Sequence, residues 1–256
     1  MDLLSWAGLA ATSCIAALLY AVSGFGFAVL AAPLFLLFSD PARAVQLVII
    51  VSTALSLVVL PGLWRAIAPG LLARLALGSL AGLPIGIVAF RYADPVLVRI
   101  TVGATILAFA ALMAKSRRHW ARHGPPLEMR PAGDIAAGAI SGIATSLVGM
   151  AGPPVLIYLL LTGASSTTVR ATLLAYFSVS YGATLVAHAA TVGVPSQTWL
   201  TAGALIPFGF AGAFVGRRLG NRLGAEAFGI LAMSLLAVAG LYTVLAAGAS
   251  LAGHSQ

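Results

Sequence analysis

Two short runs carry residue types that could do chemistry inside an otherwise very apolar chain: SGFGFAVLAAP at 23–33 and SLVGMAGPP at 146–154. Each sets two glycines and proline where a helix would be expected to run unbroken. Glycine lets the backbone leave helical geometry, and proline removes a donor and clashes with the preceding turn. A helix that restarts after such a break presents unpaired N–H groups together with the positive end of its dipole, a combination suited to an anion. Gly24, Phe25, Gly26 and Pro33 in the first run, and Gly149, Gly152, Pro153 and Pro154 in the second, are therefore candidate substrate-binding residues. The competing reading is packing, because glycines let membrane helices touch and prolines kink them. One break alone favours packing; two at corresponding places in the chain favour a site.

Side chains near the breaks could complete it. Ser52, with Thr53 and Ser56, lies on the third apolar segment, and Ser178, with Tyr176, Ser180, Tyr181 and Thr184, lies on the counterpart segment. Hydroxyls donate to oxyanions without the desolvation cost of a full charge, and they equally well bond helix to helix. Ser141 and Thr145 are spaced i, i+4 ahead of Gly149, so they share one helix face and are expected to look onto the cavity. Arg170, matched by Gln46 in the first half, could recruit an anion by fork-shaped hydrogen bonding or anchor a helix end by snorkelling. Arg99 has the same two roles open to it, with the anchor the commoner. His188, near the outer end of its segment, suits a hydrogen-bonded packing role better than a proton relay.

Other chemistries lack their residues. Asp2, Asp40, Asp94, Glu128, Asp134 and Glu226 all fall in loops or at segment ends, so no carboxylate sits mid-span for a metal or sodium ion. There is no HExxH-like motif, and Ser180 and His188 share a helix two turns apart with no oxyanion-loop signature. The single cysteine, Cys14, lies in the first apolar segment and can form neither an intrachain disulfide nor a thiolate cluster. An enzyme is not expected, nor any cofactor or metal.

The elements that must position these residues follow from composition. The 256 residues are 61% hydrophobic and 8% charged, with a mean hydropathy of +1.05, which places the chain among integral membrane proteins. No alternating barrel pattern is visible, so the backbone must satisfy itself as helices. The expected fold is an all-α polytopic membrane protein. Apolar runs fall at 3–22, 24–38, 44–64, 67–91 and 95–114, then at 132–150, 152–165, 168–192, 199–217 and 225–247. The hydrophilic stretch KSRRHWARHGPPLEMRP, residues 115–131, separates a first membrane repeat, 1–114, from a second, 132–256. The run 24–38 would be roughly 22 Å long, short of a hydrocarbon core of roughly 30 Å, and 152–165 is shorter still, so both should start inside the membrane.

Charge orients the chain. If all ten runs cross and 115–131 is cytoplasmic, eleven of the fourteen basic residues lie inside and only Arg43, Arg91 and Arg99 outside. Were the two short runs re-entrant, the split would be even. Ten crossings put both termini outside and give two five-helix halves of opposite orientation. The first residues, MDLLSW, lack the positive region of a secretory signal, so the first run is expected to be retained. The net charge of +8 is spread over short loops, which suits orientation in a lipid bilayer and not nucleic acid. Trp6, Trp64, Trp120 and Trp199 fall at segment ends or in the basic loop, as interfacial anchors do, and glycines at four-residue spacing (Gly78, Gly82, Gly86; Gly212, Gly216, Gly220) predict close helix packing.

Pro33 with Pro154, Gln46 with Arg170, and Gly82 and Gly86 with Gly212 and Gly216 match in order between the halves, supporting an inverted repeat. The runs GFGFAVLAAP and GMAGPPVLIYLLL, each followed by an apolar half-helix, and VRATLLAYF at 169–177 make the chain resemble the sulfite exporter TauE/SafE family over almost its whole length. Phe27 and Ala28 after Gly26, and Pro153 with Pro154, depart from the denser glycine runs of that family. The resemblance implies a secondary transporter of small sulfur-containing anions such as sulfite or organosulfonates, working by alternating access in a bacterial cytoplasmic membrane. Its partners would be the anionic solute and lipid, with homo-oligomerisation left open; a non-transporting membrane scaffold is the alternative, and an intramembrane enzyme the lesser one.

Overall fold

A computed structural model describes residues 3–24, 26–60, 64–120, 130–161 and 166–220. Among these are nine α-helices and no strand: α1 (Leu3–Ser23), α2 (Phe27–Phe38), α3 (Pro41–Val59), α4 (Pro69–Tyr92), α5 (Pro95–Trp120), α6 (Pro131–Val148), α7 (Gly152–Leu161), α8 (Ser166–Thr191) and α9 (Ser196–Gly220). Six are long and apolar enough to cross a membrane, namely α1, α3, α4, α6, α8 and α9. The last expected run, 225–247, lies outside the described residues.

Helix starts follow local chemistry. Pro41, Pro69, Pro95 and Pro131 each open a helix, where a missing N–H costs nothing. The Asp40 carboxylate caps α3 by accepting the Arg43 N–H at 2.9 Å, and Asp94 accepts that of Val96 at 2.7 Å. Boundaries depart from expectation at α3, which ends at Val59 and not at 64, and at α5, which continues six residues past 114, to Trp120, where Lys115, Arg117 and Arg118 are good helix formers.

The glycine ladders set the pairing of helices. Gly78 and Gly82 of α4 press on the backbone of Ile135 and Ala139 in α6, and Gly138 and Gly142 return the contact against Leu75 and Ser79. Gly212 and Gly216 of α9 meet the carbonyls of Cys14 and Leu18 in α1 in the same way. A side chain at any of these positions would overlap a neighbouring backbone carbonyl, so only glycine permits the approach. Both pairs run parallel. Large apolar side chains such as Leu77, Ile85, Val88, Leu200 and Phe208 point outward from α4 and α9, as lipid-facing residues must. The helices α3 and α8 cross at the centre and carry much of the buried core.

Candidate functional site

The first break begins where α1 ends. Gly24 donates its N–H to the Tyr20 carbonyl at 2.8 Å, then leaves the helix at φ 79°. Gly26 follows at φ 110° and caps α2, its carbonyl accepting the Leu30 N–H at 3.1 Å. Both conformations are left-handed, which accounts for glycine at each. The N–H groups of Phe27, Ala28 and Val29, in the first turn of α2, have no acceptor within that helix.

The second break is built differently. Gly149, at φ 75°, closes α6, with its N–H on the Thr145 carbonyl at 2.9 Å. Between the helices, Ala151 is held from both sides. Its N–H donates to the Tyr181 hydroxyl at 3.3 Å, and its carbonyl accepts from Ser141 Oγ at 2.5 Å. The same Tyr181 hydroxyl donates to the Gly149 carbonyl at 3.3 Å. Pro153 and Pro154 have no N–H to offer, so of the first three residues of α7 only Gly152 carries an amide. The two helix starts are therefore unequal, with α2 richer in donors.

Both starts border one small cavity. Gly26, Phe27 and Ala28 reach it from the first break and Gly152 from the second, while Tyr20 of α1, Ser52 and Leu55 of α3, and Phe177 and Tyr181 of α8 close the wall. Its volume is about 10 Å³, room for the centre of about one water molecule. Ser52 and Phe177 sit near the middle of α3 and α8, which places the cavity at mid-depth. No charged side chain lines it. The Ser52 and Tyr20 hydroxyls are buried and have no hydrogen-bond partner, so each has an unused donor beside the cavity.

Of the residues expected at a site, Gly26, Gly152 and Ser52 line this cavity. Gly24 and Gly149 shape the breaks without bordering it, and Phe25 lies outside the described residues. Pro33 is buried inside α2, and Pro153 and Pro154 occupy the first turn of α7. Ser141 and Thr145 are fully buried and turned to protein: Thr145 Oγ1 donates to the Ser141 carbonyl at 2.6 Å and lies 3.3 Å from Ser180 Oγ. Ser178 donates to the Leu174 carbonyl of its own helix at 3.1 Å. Arg170 crosses to α1, its Nη2 donating to the Ala21 carbonyl at 2.7 Å while its stem covers Gly24.

Tyr20 and Phe177 were not singled out from the sequence. Tyr20 stands one turn before Gly24, and that spacing to a helix-ending glycine was the available signal. A second polar group lies away from the cavity. The fully buried Asp134 carboxylate takes Arg74 Nε at 2.5 Å and the Tyr158 hydroxyl at 2.6 Å, joining α4, α6 and α7. No group of three or more metal-ligating side chains occurs among the described residues.

Residues 9–243 match the family model described as Sulfite exporter TauE/SafE. No curated protein and no solved structure matches the chain.

Proposed function

The chain belongs to the sulfite exporter TauE/SafE family, and from that membership and the meeting of two helix starts at one buried cavity we propose that it carries a small oxyanion through the membrane by alternating access. It is an integral membrane protein of a transporter family. Sulfite and organosulfonates are the proposed cargo. Their oxygens suit the Phe27 and Ala28 amides, the Gly152 amide and the Ser52 and Tyr20 hydroxyls, neutral donors that leave the net charge of a bound anion to helix dipoles.

Two repeats of opposite orientation, 1–114 and 132–256, supply the moving parts. The packing supports this reading: if α1 corresponds to α6 and α4 to α9, the parallel pair α4 with α6 is the counterpart of the parallel pair α9 with α1. The breaks before α2 and α7 correspond likewise, each with a long helix of the other half beside it. Arg170 of α8 covers Gly24, and Val48 of α3 lies against Gly149. At about 10 Å³ the cavity is closed around less room than an oxyanion needs, so binding requires the halves to part. The basic residues near 65, 74, 115–130, 170 and 217–222 orient the protein with these ends inside, in a bacterial cytoplasmic membrane. Export of an anion from a negative interior is favoured by about 2.3 kcal/mol per charge per 100 mV.

The observation that carries the reading is the shared cavity between Gly26 and Gly152. Sealed proteoliposomes loaded with sulfite, sulfoacetate or a carboxylate test it. The native protein should exchange at least one sulfur oxyanion, and Gly26→Leu and Gly152→Leu should each abolish exchange while the protein still folds. Transport of a cation or neutral amino acid with no anion movement would overturn it.

A further inference from the structure

The face of α8 next to the one that lines the cavity, about 100° round the helix from Phe177 and Tyr181, carries polar residues at strict four-residue spacing: Tyr176, Ser180, Thr184 and His188. All four are buried, at 0%, 1%, 0% and 0% exposure. Each step of four residues advances about 6 Å, so the stripe runs roughly 18 Å along the helix. Ser180 is engaged with Ser79 at 3.0 Å and Thr145 at 3.3 Å. Buried polar groups without partners are costly in a membrane protein. The Tyr176 hydroxyl has those of Ser79, Ser141 and Ser180 around it, while Thr184 Oγ1 and His188 Nδ1 stand without a partner on the same helix face.

The histidine geometry fixes which nitrogen is free. His188 Nε2 lies 2.9 Å from the Ser146 carbonyl. A carbonyl only accepts, so Nε2 carries the hydrogen and the neutral ring holds its bare lone pair at Nδ1. The ring lies against Phe90, at 4.7 Å between centroids and tilted 58° to it, one turn from the end of α8.

We propose that this stripe is a proton pathway with His188 as its acceptor, and that the proton travels in the same direction as the anion. This rests on the anion reading above. His188 takes one proton from water at Nδ1 on its own side and keeps its Nε2–H bond to Ser146. After the halves rock it passes a proton to the Thr184, Ser180 and Tyr176 hydroxyls, each accepting one proton and releasing one, until one is released to water at the other end of the stripe. Seven residues separate His188 from Tyr181 at the cavity wall, roughly 10 Å along the helix. At that distance an imidazolium favours a nearby anion on the order of tenfold. The elements packed against the ring bring few competing charges. From α6 comes the Ser146 carbonyl, with Asp134 at the far end of that helix paired to Arg74 of α4. Arg91 of α4 is exposed next to Phe90, and Asp40 and Arg43 of α3 line a groove with Gly193 beyond the end of α8.

Sulfoacetate and methanesulfonate keep one charge state from pH 6 to pH 8 and serve as probes in proteoliposomes holding a pH dye. The expected result is a proton flux accompanying net anion flux, and an apparent KM for the anion that falls from pH 8 to pH 6 by less than the tenfold electrostatic limit. His188→Gln and Thr184→Val should keep anion counterflow, which also shows that they fold, while the first loses both the proton flux and the pH dependence and the second slows the flux. Native counterflow with no proton flux and a constant KM overturns the pathway and leaves the anion reading standing, as does His188→Gln with its proton flux intact. If neither probe moves, the anion reading falls for these sulfonates. A native proton conductance above empty liposomes that His188→Gln lacks then supports the stripe, and its absence overturns it.

Discussion

Arg170 and Gly24 fit into one another across two helices. The arginine stem occupies the space a side chain at 24 would need, with a Cβ there falling 2.6 Å from Arg170 Cγ, and the guanidinium beyond it donates to the Ala21 carbonyl at 2.7 Å. Arg170 thus caps the end of α1, a third role beside anion recruitment and snorkelling, and it is available only because residue 24 has no side chain.

Gly24→Ala should destabilise the protein by about 1–2 kcal/mol from the left-handed backbone alone, and more if Arg170 is displaced. Arg170→Met should cost about 1–3 kcal/mol by leaving a buried carbonyl without its donor. Because both changes break the same contact, the double variant should cost less than their sum. Thermal unfolding in detergent checks this, and strict additivity would show that the two residues act separately.

Ser52→Ala separates binding from folding. Ser52 Oγ borders the cavity and has no protein partner, so its removal strands nothing. The melting temperature should stay level or rise slightly. A hydrogen bond to a charged group is worth about 1.5–3 kcal/mol, so anion affinity should fall roughly tenfold or more. Concentration dependence of uptake measures it; an unchanged KM would remove Ser52 from the site.

Asp134 and Arg74 should respond unequally. Asp134 is 0% exposed and the Arg74 side chain 35%. Arg74→Met strands a buried carboxylate, a loss of about 3–5 kcal/mol. Asp134→Asn frees a guanidinium that can turn to water, and should cost less. Melting temperatures of the two variants, compared side by side, check the order.

How much of this was legible in the sequence differs by element. The helices were, because apolar runs of this length permit little else, and so were the two breaks, since glycine and proline act locally. Ser141 and Thr145 show where local patterns stop. Their i, i+4 spacing put them correctly on one face of α6, yet that face meets Ala151 and Ser180 and not the cavity, a fact fixed by how α8 packs against α6. Tyr20 and Phe177 join the wall through contacts between α1, α2 and α8 that no periodicity encodes. The loss of donors at Pro153 and Pro154 was visible in the sequence, but its consequence depends on Tyr181 already occupying the Ala151 amide.

Tyr181 and Tyr20 both present hydroxyls at the cavity wall, and their bonding predicts opposite phenotypes. The Tyr181 hydroxyl is committed: it accepts from the Ala151 N–H and donates to the Gly149 carbonyl, both at 3.3 Å, so it splints the second break. Tyr181→Phe keeps the ring and removes the splint, leaving two backbone groups at mid-depth without that partner. Stability should drop by about 1–3 kcal/mol for each group left unsatisfied, with a smaller effect on KM. The Tyr20 hydroxyl is buried with no partner, so Tyr20→Phe removes a donor that only a solute or water could use. Stability should hold and KM should rise. Melting temperature and uptake kinetics on the two variants decide it, because a cavity that merely packs would leave the Tyr181→Phe loss of stability in place and give neither variant any effect on affinity.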